Sequence, residues 1–415
     1  MNLEELRKLD KEDELREFRG QFHIPKHDGK DTIYLCGNSL GLLPKQTSGF
    51  VSQELESWKE NGVKGHFLGD KPWVSYHELA KKPLGELVGG NPNEVQAVGS
   101  LTSNLHLLLA SFYQPNGDRK KVIIESGAFP SDFYAVHSHM KMKGVDPEEH
   151  LVELKAKDGG EYLPNEEVIE MIYELGDELA LVLFPGVQYY SGQFFDISSI
   201  TIAAHKAGAF AGFDLAHAVG NIPMNLHDDG VDFAVWCSYK YLNSGPGGIG
   251  GMFVHERNGS NLKIPKLTGW WGHDSKERFE MANRLNPIPG VDGWQLSNVN
   301  ILSSAAHLAS LELFQQAGID RLRKKSLKMT ELLIEALEEF EEIEIITPKS
   351  VEERGCQVSM YVNKNGRDLF DSLTNHGVVA DWREPNVIRI APVPLYNTFE
   401  ELGLFSQILK AVLLK

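Results

Sequence analysis

Between about residues 95 and 256, short uninterrupted apolar runs alternate with stretches whose apolar residues recur at helical spacing. Lys121–Glu125 (KVIIE), Leu179–Phe184 (LALVLF), Ala209–Phe213, Val231–Trp236 and Gly251–His255 read as buried strands. Asn104–Tyr113 (NLHLLLASFY) and Ser198–Ala207 read as helices between them. Strands that are apolar on both faces and separated by helices predict an α/β domain with a mostly parallel sheet. Sheets of that kind collect ligands at the carboxyl ends of their strands, where the polar residues of this region gather.

The texture changes after Ser303. A long helical run from Ala305 to about Phe340 is interrupted near Ala317-Gly318. Short strands follow at Gln357–Val362, Val378–Trp382 and Val387–Ala391, then a helix at Glu400–Leu414. This predicts a large domain over residues 51–303 and a smaller α+β domain over residues 304–415. The N-terminal segment, residues 1–50, is expected to pack with the smaller one. No internal repeat or low-complexity tract breaks the pattern.

Composition narrows the partners. The 415 residues carry a net charge of −17, which argues against non-specific binding to nucleic acid or to anionic membranes. Cys36, Cys237 and Cys356 have neither metal-ligand nor redox spacing, so a reducing, cytoplasmic setting is expected. The first residues, MNLEELRKLDKEDELREF, are charged and helix-like rather than a signal peptide. No apolar run approaches the ~18–20 residues of a membrane-spanning helix.

The densest chemistry lies at residues 209–251. The run ending at Phe213 is followed by Asp214 and His217; the run ending at Trp236 is followed by Tyr239, Lys240 and the glycine-rich SGPGGIGG. A lysine placed just after an apolar strand is desolvated, hence readily made neutral and nucleophilic. A carboxylate at a neighbouring strand end suits pyridoxal phosphate: the lysine forms a Schiff base and the acid keeps the pyridine nitrogen protonated. Asp214-x-x-His217 also has the form of two metal ligands, but no third ligand stands at a recognisable spacing, and no metal is expected.

Four other segments offer chemistry. GSLTSN at 99–104 precedes a helix, so Thr102 or Ser103 is the expected N-cap, leaving first-turn N–H groups for an anion. Phe129, Pro130, Ser131 and Asp132 follow the strand KVIIE, offering a ring to stack and an acid, although a plain turn opening a helix explains them too. Trp270 and Trp271, in GWWGH, are rarer in surface loops than in pockets or interfaces. Arg383 and Arg389 offer bidentate recognition of a carboxylate, with a surface salt bridge the stronger reading for Arg383.

Taken together these segments resemble the kynureninase family, pyridoxal-phosphate hydrolases of fold type I in the class V aminotransferase-like group. The resemblance runs over nearly the whole chain. It is carried by YLCGNSLGL at 34–42, LTSNLHLLL at 101–109, FPSD at 129–132, GVQYYSGQFFDI at 186–197 and FDLAHAVGN at 213–221. WCSYKYLNSGPGG at 236–248, GWWGH at 269–273, LSN at 296–298 and WREPNVIRIAPVPLYN at 382–397 complete it.

What the resemblance implies is specific. Lys240 is the Schiff-base lysine, Asp214 the partner of the pyridine nitrogen and Tyr239 a proton relay. Leu101 and Thr102 bind the phosphate with Tyr239, Phe129 stacks on the ring within the segment Phe129-Pro130-Ser131-Asp132, and His217 lies near the ring. Trp270 and Asn298 reach the cofactor from a second subunit, which implies a homodimer with shared active sites. Arg389 receives the substrate α-carboxylate, and Ser39 lies in a loop lining the pocket. His66 and Asn298 stand where members favouring 3-hydroxykynurenine carry a histidine and an asparagine. Pro185 departs from relatives that carry a hydroxyl there. The implied reaction is hydrolysis of kynurenine or its 3-hydroxy form to an anthranilate and alanine, in tryptophan degradation or pyridine-nucleotide synthesis.

Two competing readings remain at this level. A cysteine desulfurase of the same cofactor group needs a mobile catalytic cysteine, and Cys36 and Cys356 sit in poor contexts for one. A non-catalytic ligand-binding protein on this fold predicts a lost lysine or an added DNA-binding segment. Lys240 is present and the chain is acidic.

Overall fold

The computed structural model describes residues 2–414. Seven strands make the main sheet: β1 Val95–Ala97, β2 Lys121–Glu125, β3 Leu151–Leu154, β4 Leu179–Pro185, β5 Phe210–Asp214, β6 Phe233–Cys237 and β7 Gly250–Val254. Their order is β1-β7-β6-β5-β4-β2-β3. All neighbours run parallel except β7, which is antiparallel to both β1 and β6.

The apolar runs are continuous because the sheet is covered on both faces. Along β4, Val182 and Phe184 enter one hydrophobic cluster, whereas Leu181 and Leu183 enter another on the opposite side. Each of these side chains is nearly or fully buried. At roughly 1.5–3 kcal/mol per buried aliphatic or aromatic side chain, a polar residue on either face would be costly. The strands therefore show no alternation in sequence.

Two helices flank the ligand-binding edge, α1 Leu101–Phe112 and α2 Pro130–Met142. The chain then leaves the main sheet through α3 Ile301–Ala317 and α4 Ile319–Leu337, divided at Gly318, whose φ of 76° breaks the helix as the sequence predicts. A second, antiparallel sheet follows: β8 Ile343–Ile345, β9 Val358–Val362, β10 Asp381–Arg383 and β11 Val387–Ile390, in the order β8-β9-β11-β10. Phe399–Leu413 packs over it as α5.

Leu6, Ile33 and Leu35 share the hydrophobic cluster of this second sheet. The expected strand Val378–Trp382 is split. Val378–Val379 pairs with Ile33–Tyr34, and the chain then turns at Ala380 so that Asp381–Arg383 pairs with β11. No helix among the described residues is long and apolar enough to cross a membrane.

Candidate active site

The carboxyl ends of β2, β4, β5 and β6 open on one cleft, the usual ligand position for a sheet of this kind. Its lining includes Leu101, Thr102, Phe129, Ser131, Asp132, Asp214, His217, Tyr239 and Lys240. Nine residues singled out from sequence thus converge, although they span 140 positions of the chain, from Leu101 to Lys240.

Strand geometry places the lysine. Ser238, Tyr239 and Lys240 follow β6, and the backbone of Tyr239 is held from above by the N–H of Gly41, 2.8 Å from its carbonyl. A side chain at Gly41 would run into the Lys240 carbonyl and Asn243, so only glycine allows the two loops to close. Lys240 Nζ donates to His217 Nε2 at 2.9 Å. Burial, then the nearby lysine, push the His217 imidazole well below its usual range. It is a neutral acceptor, and its Nδ1 has no partner.

Three carboxyls sit on the other side. Asp214, at the end of β5, accepts the Ala216 N–H at 2.7 Å. Its side chain also meets that of Asp132, and burial raises both acids above the carboxylate range, Asp132 the more strongly because Asp214 faces it. Two buried acids in contact cannot both ionise, so Asp132 holds the proton and donates to Asp214. Asp132 Oδ1 has no hydrogen-bond partner. Glu125, at the end of β2, is the third acid; burial raises it well above its usual range. Its position closing an apolar strand was the signal available in sequence, and it went unread there.

The helix end is set by α1. Ser100, not Thr102 or Ser103, is the N-cap: its hydroxyl pairs with the Ser103 N–H while the Ser103 hydroxyl takes the Ser100 N–H at 2.9 Å. The cap lies two residues before Thr102 and three before Ser103, because the capping box, Ser100 with Ser103, outcompetes a cap inside the helix. Leu101 and Thr102 are therefore the first helical residues. Their N–H groups have no intrahelical acceptors and lie at the positive end of the helix dipole. Asn104 fixes this end to the sheet through the Val98 carbonyl at 2.7 Å and the Gly251 carbonyl at 3.3 Å.

This donor set fits pyridoxal phosphate. Leu101 and Thr102 offer an anion site, Asp214 a carboxylate for a protonated ring nitrogen, Phe129 a half-exposed ring and Lys240 an amine 5.8 Å from that ring. Two residues lining the cleft carry a buried polar atom without a hydrogen-bond partner, Asp132 Oδ1 and His217 Nδ1, a deficit that a ligand with polar substituents would relieve.

Other expected residues lie outside the cleft. Pro130 opens α2 at its first position, which suits its missing N–H. Ser39 is half-buried in the loop that contacts Tyr239. His66 packs its ring edge-on against Trp73 at 5.4 Å. Trp270 is 46% exposed and Asn298 is exposed, both on the surface of this chain. Trp271 is not the exposed partner of Trp270: it is buried in its own loop under the Arg278 guanidinium, 4.3 Å from its ring. Arg389 is 1% exposed and paired to Asp381 at 2.7 Å, whereas Arg383 shares the same acid and is half-exposed. Pro185, by contrast, does line the cleft, with Glu125, Val187, Tyr189 and Ala216.

All three cysteines are free. Burial pushes the Cys36 and Cys356 thiols up to about 12, and Cys237 is buried with its thiol raised as well. None offers the accessible thiolate a desulfurase needs.

Comparison with known proteins agrees with this chemistry. Residues 322–409 match the family described as "Kynureninase C-terminal domain". The chain is 50% identical over 418 residues to a kynureninase from Flavobacterium psychrophilum, covering 100% of this chain and 98% of that protein. It is 48% identical over 407 residues to one from Myxococcus xanthus, covering 97% and 96%. Among solved structures it superposes on a cysteine desulfurase from Escherichia coli with TM-score 0.77 at 16% identity, covering 96% of this chain and 98% of that one. An apo cysteine desulfurase from Thermococcus onnurineus NA1 gives 0.75 at 17% identity, covering 92% and 94%. The desulfurases share the fold alone, fold type I, whereas identity near one half over the full length carries the activity class. The chain belongs to the kynureninase family of pyridoxal-phosphate hydrolases.

Proposed function

We propose that this chain hydrolyses the Cβ–Cγ bond of L-kynurenine and of 3-hydroxy-L-kynurenine, with the hydroxylated substrate favoured, releasing an anthranilate and L-alanine. The observation that carries the reading is one cleft holding Lys240 against a neutral His217 with the Asp132–Asp214 pair beside them. Pyridoxal phosphate, when bound, supplies an electron sink that stabilises negative charge at the substrate α-carbon.

The chain's own residues do the rest. Lys240 anchors the cofactor and, once displaced by the substrate amine, takes the α-proton at its Nζ; His217 Nε2 orients that nitrogen. Asp214 holds the ring nitrogen protonated, and Asp132 orients Asp214. Leu101 and Thr102 bind the phosphate, Phe129 covers the ring, and the Tyr239 hydroxyl, raised by burial, carries a proton near the phosphate. Arg389 receives the α-carboxylate, and Ser39 bounds the pocket.

His66 and Asn298 read the substrate ring, and Asn298 and Trp270 reach the cofactor in the site of a second copy. Supporting this, Phe67, Phe279 and Trp270 form an exposed aromatic cluster, with Phe279 6.2 Å from Phe67 and 5.5 Å from Trp270. Exposed apolar groupings of this kind mark association surfaces. The setting is a cytoplasmic homodimer acting in tryptophan degradation or pyridine-nucleotide synthesis.

The test is steady-state turnover of the two substrates with added pyridoxal phosphate, followed by ring absorbance. A higher kcat/KM for the hydroxylated substrate is expected. Preference for kynurenine overturns the roles given to His66 and Asn298, and turnover of neither overturns the reading.

A further inference from the structure

The antiparallel register of β10 and β11 sets Asp381 directly opposite Arg389. Asp381 Oδ2 lies 2.7 Å from Arg389 Nη2, with side-chain exposures of 9% and 1%. A second contact fixes the other terminal nitrogen: Arg389 Nη1 donates to the Tyr189 carbonyl at 2.6 Å. Arg389 Nε has no partner, although it is buried.

The guanidinium is thus held at both terminal nitrogens by the chain, and its Nε–H is left unpaired. A carboxylate binds arginine best through two parallel N–H groups, and that geometry is lost if the fork rotates. Tyr189 links this fork to the cofactor site, because its ring lines the cleft and meets Phe129 edge-on at 5.2 Å. Charge points the same way. Arg383 Nε is 3.3 Å from Asp381 Oδ1, so two guanidiniums share one carboxylate and a net positive charge remains for an incoming anion.

We propose that Asp381 is a positioning residue of the substrate-carboxylate subsite, orienting the Arg389 fork from behind while the substrate carboxylate takes its unoccupied edge. This rests on the reading of Arg389 given above. Asp381 does not line the cleft and makes no contact with the reacting atoms. Its effect is on binding of carboxylate-bearing ligands, not on proton transfer.

The experiment compares the holoenzyme with Asp381→Asn, Asp381→Glu, Arg389→Gln and the Asp381→Asn/Arg389→Gln double variant. KM and kcat for L-kynurenine are measured, together with spectral titrations using L-alanine and ethylamine, which differ by the carboxylate alone. Asp381→Asn is expected to raise KM roughly tenfold, below the hundredfold that misplacement of a positioning group can reach, with kcat within about threefold. It weakens L-alanine but not ethylamine, adds nothing to Arg389→Gln, and loses more than Asp381→Glu.

An unchanged KM in Asp381→Asn, or equal weakening of both amines, overturns the proposal while leaving Arg389 its role, provided Arg389→Gln raises KM. If Arg389→Gln leaves KM and the alanine-to-ethylamine ratio unchanged, the reading of Arg389 itself falls, and the proposal with it. Should Asp381→Asn fail to fold, the same ratio in Asp381→Glu decides: a shifted ratio supports positioning and an unshifted one overturns it.

Discussion

Lys240 Nζ lies 2.9 Å from His217 Nε2, and the histidine is kept neutral by burial and by the lysine itself. Since Nε2 accepts from the lysine, the ring proton resides on Nδ1, which has no protein partner. The pair gives the amine a fixed direction after substrate displaces it.

His217→Phe is therefore expected to keep its cofactor but lose roughly 10²-fold in kcat, at the lower end for a disrupted proton-transfer group. His217→Gln, which retains an acceptor, recovers most of that loss. Single-turnover kinetics at saturating substrate measure both. An unchanged rate in the phenylalanine variant would show that Lys240 orients without help.

The carboxyl pair predicts an asymmetry. If Asp132 carries the shared proton, Asn at this position still donates to Asp214, whereas Ala leaves Asp214 without its donor. Asp132→Asn should hold the cofactor within about threefold of wild type, and Asp132→Ala should lose about tenfold, one neutral-to-charged hydrogen bond. Asp214→Asn cannot stabilise a protonated ring nitrogen and should be the most damaging of the three. Equilibrium titration with pyridoxal phosphate separates them; equal losses for Asn and Ala at 132 would place the proton on Asp214.

How much of this was legible before folding follows from where each signal lives. The Asp214 and Lys240 signals are local: a polar residue just after a fully apolar strand has a single address, the carboxyl edge of a covered sheet. The strands β1 and β3 were invisible because they are short and carry Gln96 and Glu153, so no apolar run marks them. Glu125 was hidden by its strand, whose last residue reads as a boundary. The Arg389–Asp381 pairing and the burial of Trp271 depend on register and loop closure, which no window of sequence contains. The cap at Ser100 was legible as Ser-x-x-Ser, but only a Glu or Gln at the third position is the usual mark of a capping box.

Glu125 gives a pH prediction. Its value in the fold is raised well above 4.5, so the folded chain binds more protons than the unfolded one over that interval. Its contribution to stability is then complete below about 4.5 and declines as pH rises through the folded-state value, at about 1.4 kcal/mol per unit of displacement. Asp132 and Asp214 act with the same sign but are present in both proteins compared. Thermal unfolding of the cofactor-free chain should therefore fall less between pH 5 and pH 8 in Glu125→Gln than in wild type, with a gain at pH 8 of order 2 °C. Parallel curves would mean that Glu125 is ionised or well solvated in the fold.

The exposed positions of Trp270 and Asn298 make the second copy testable without a structure of the dimer. If each cleft takes Lys240 from one chain and Asn298 from the other, an inactive Lys240→Ala chain and an Asn298→Ala chain impaired on the hydroxylated substrate can repair each other on that substrate. A dimer of Lys240→Ala with Asn298→Ala has one site carrying both lesions and one carrying neither. Random reassortment in equal amounts makes half the dimers mixed, each with one of two sites intact, so about a quarter of wild-type activity should return. Activity is measured after co-refolding or prolonged co-incubation of the two purified variants, against each variant incubated alone. If both residues serve the same cleft within one chain, every site keeps a lesion and no activity returns, which would move Asn298 and the ring-reading role assigned to it back into its own subunit.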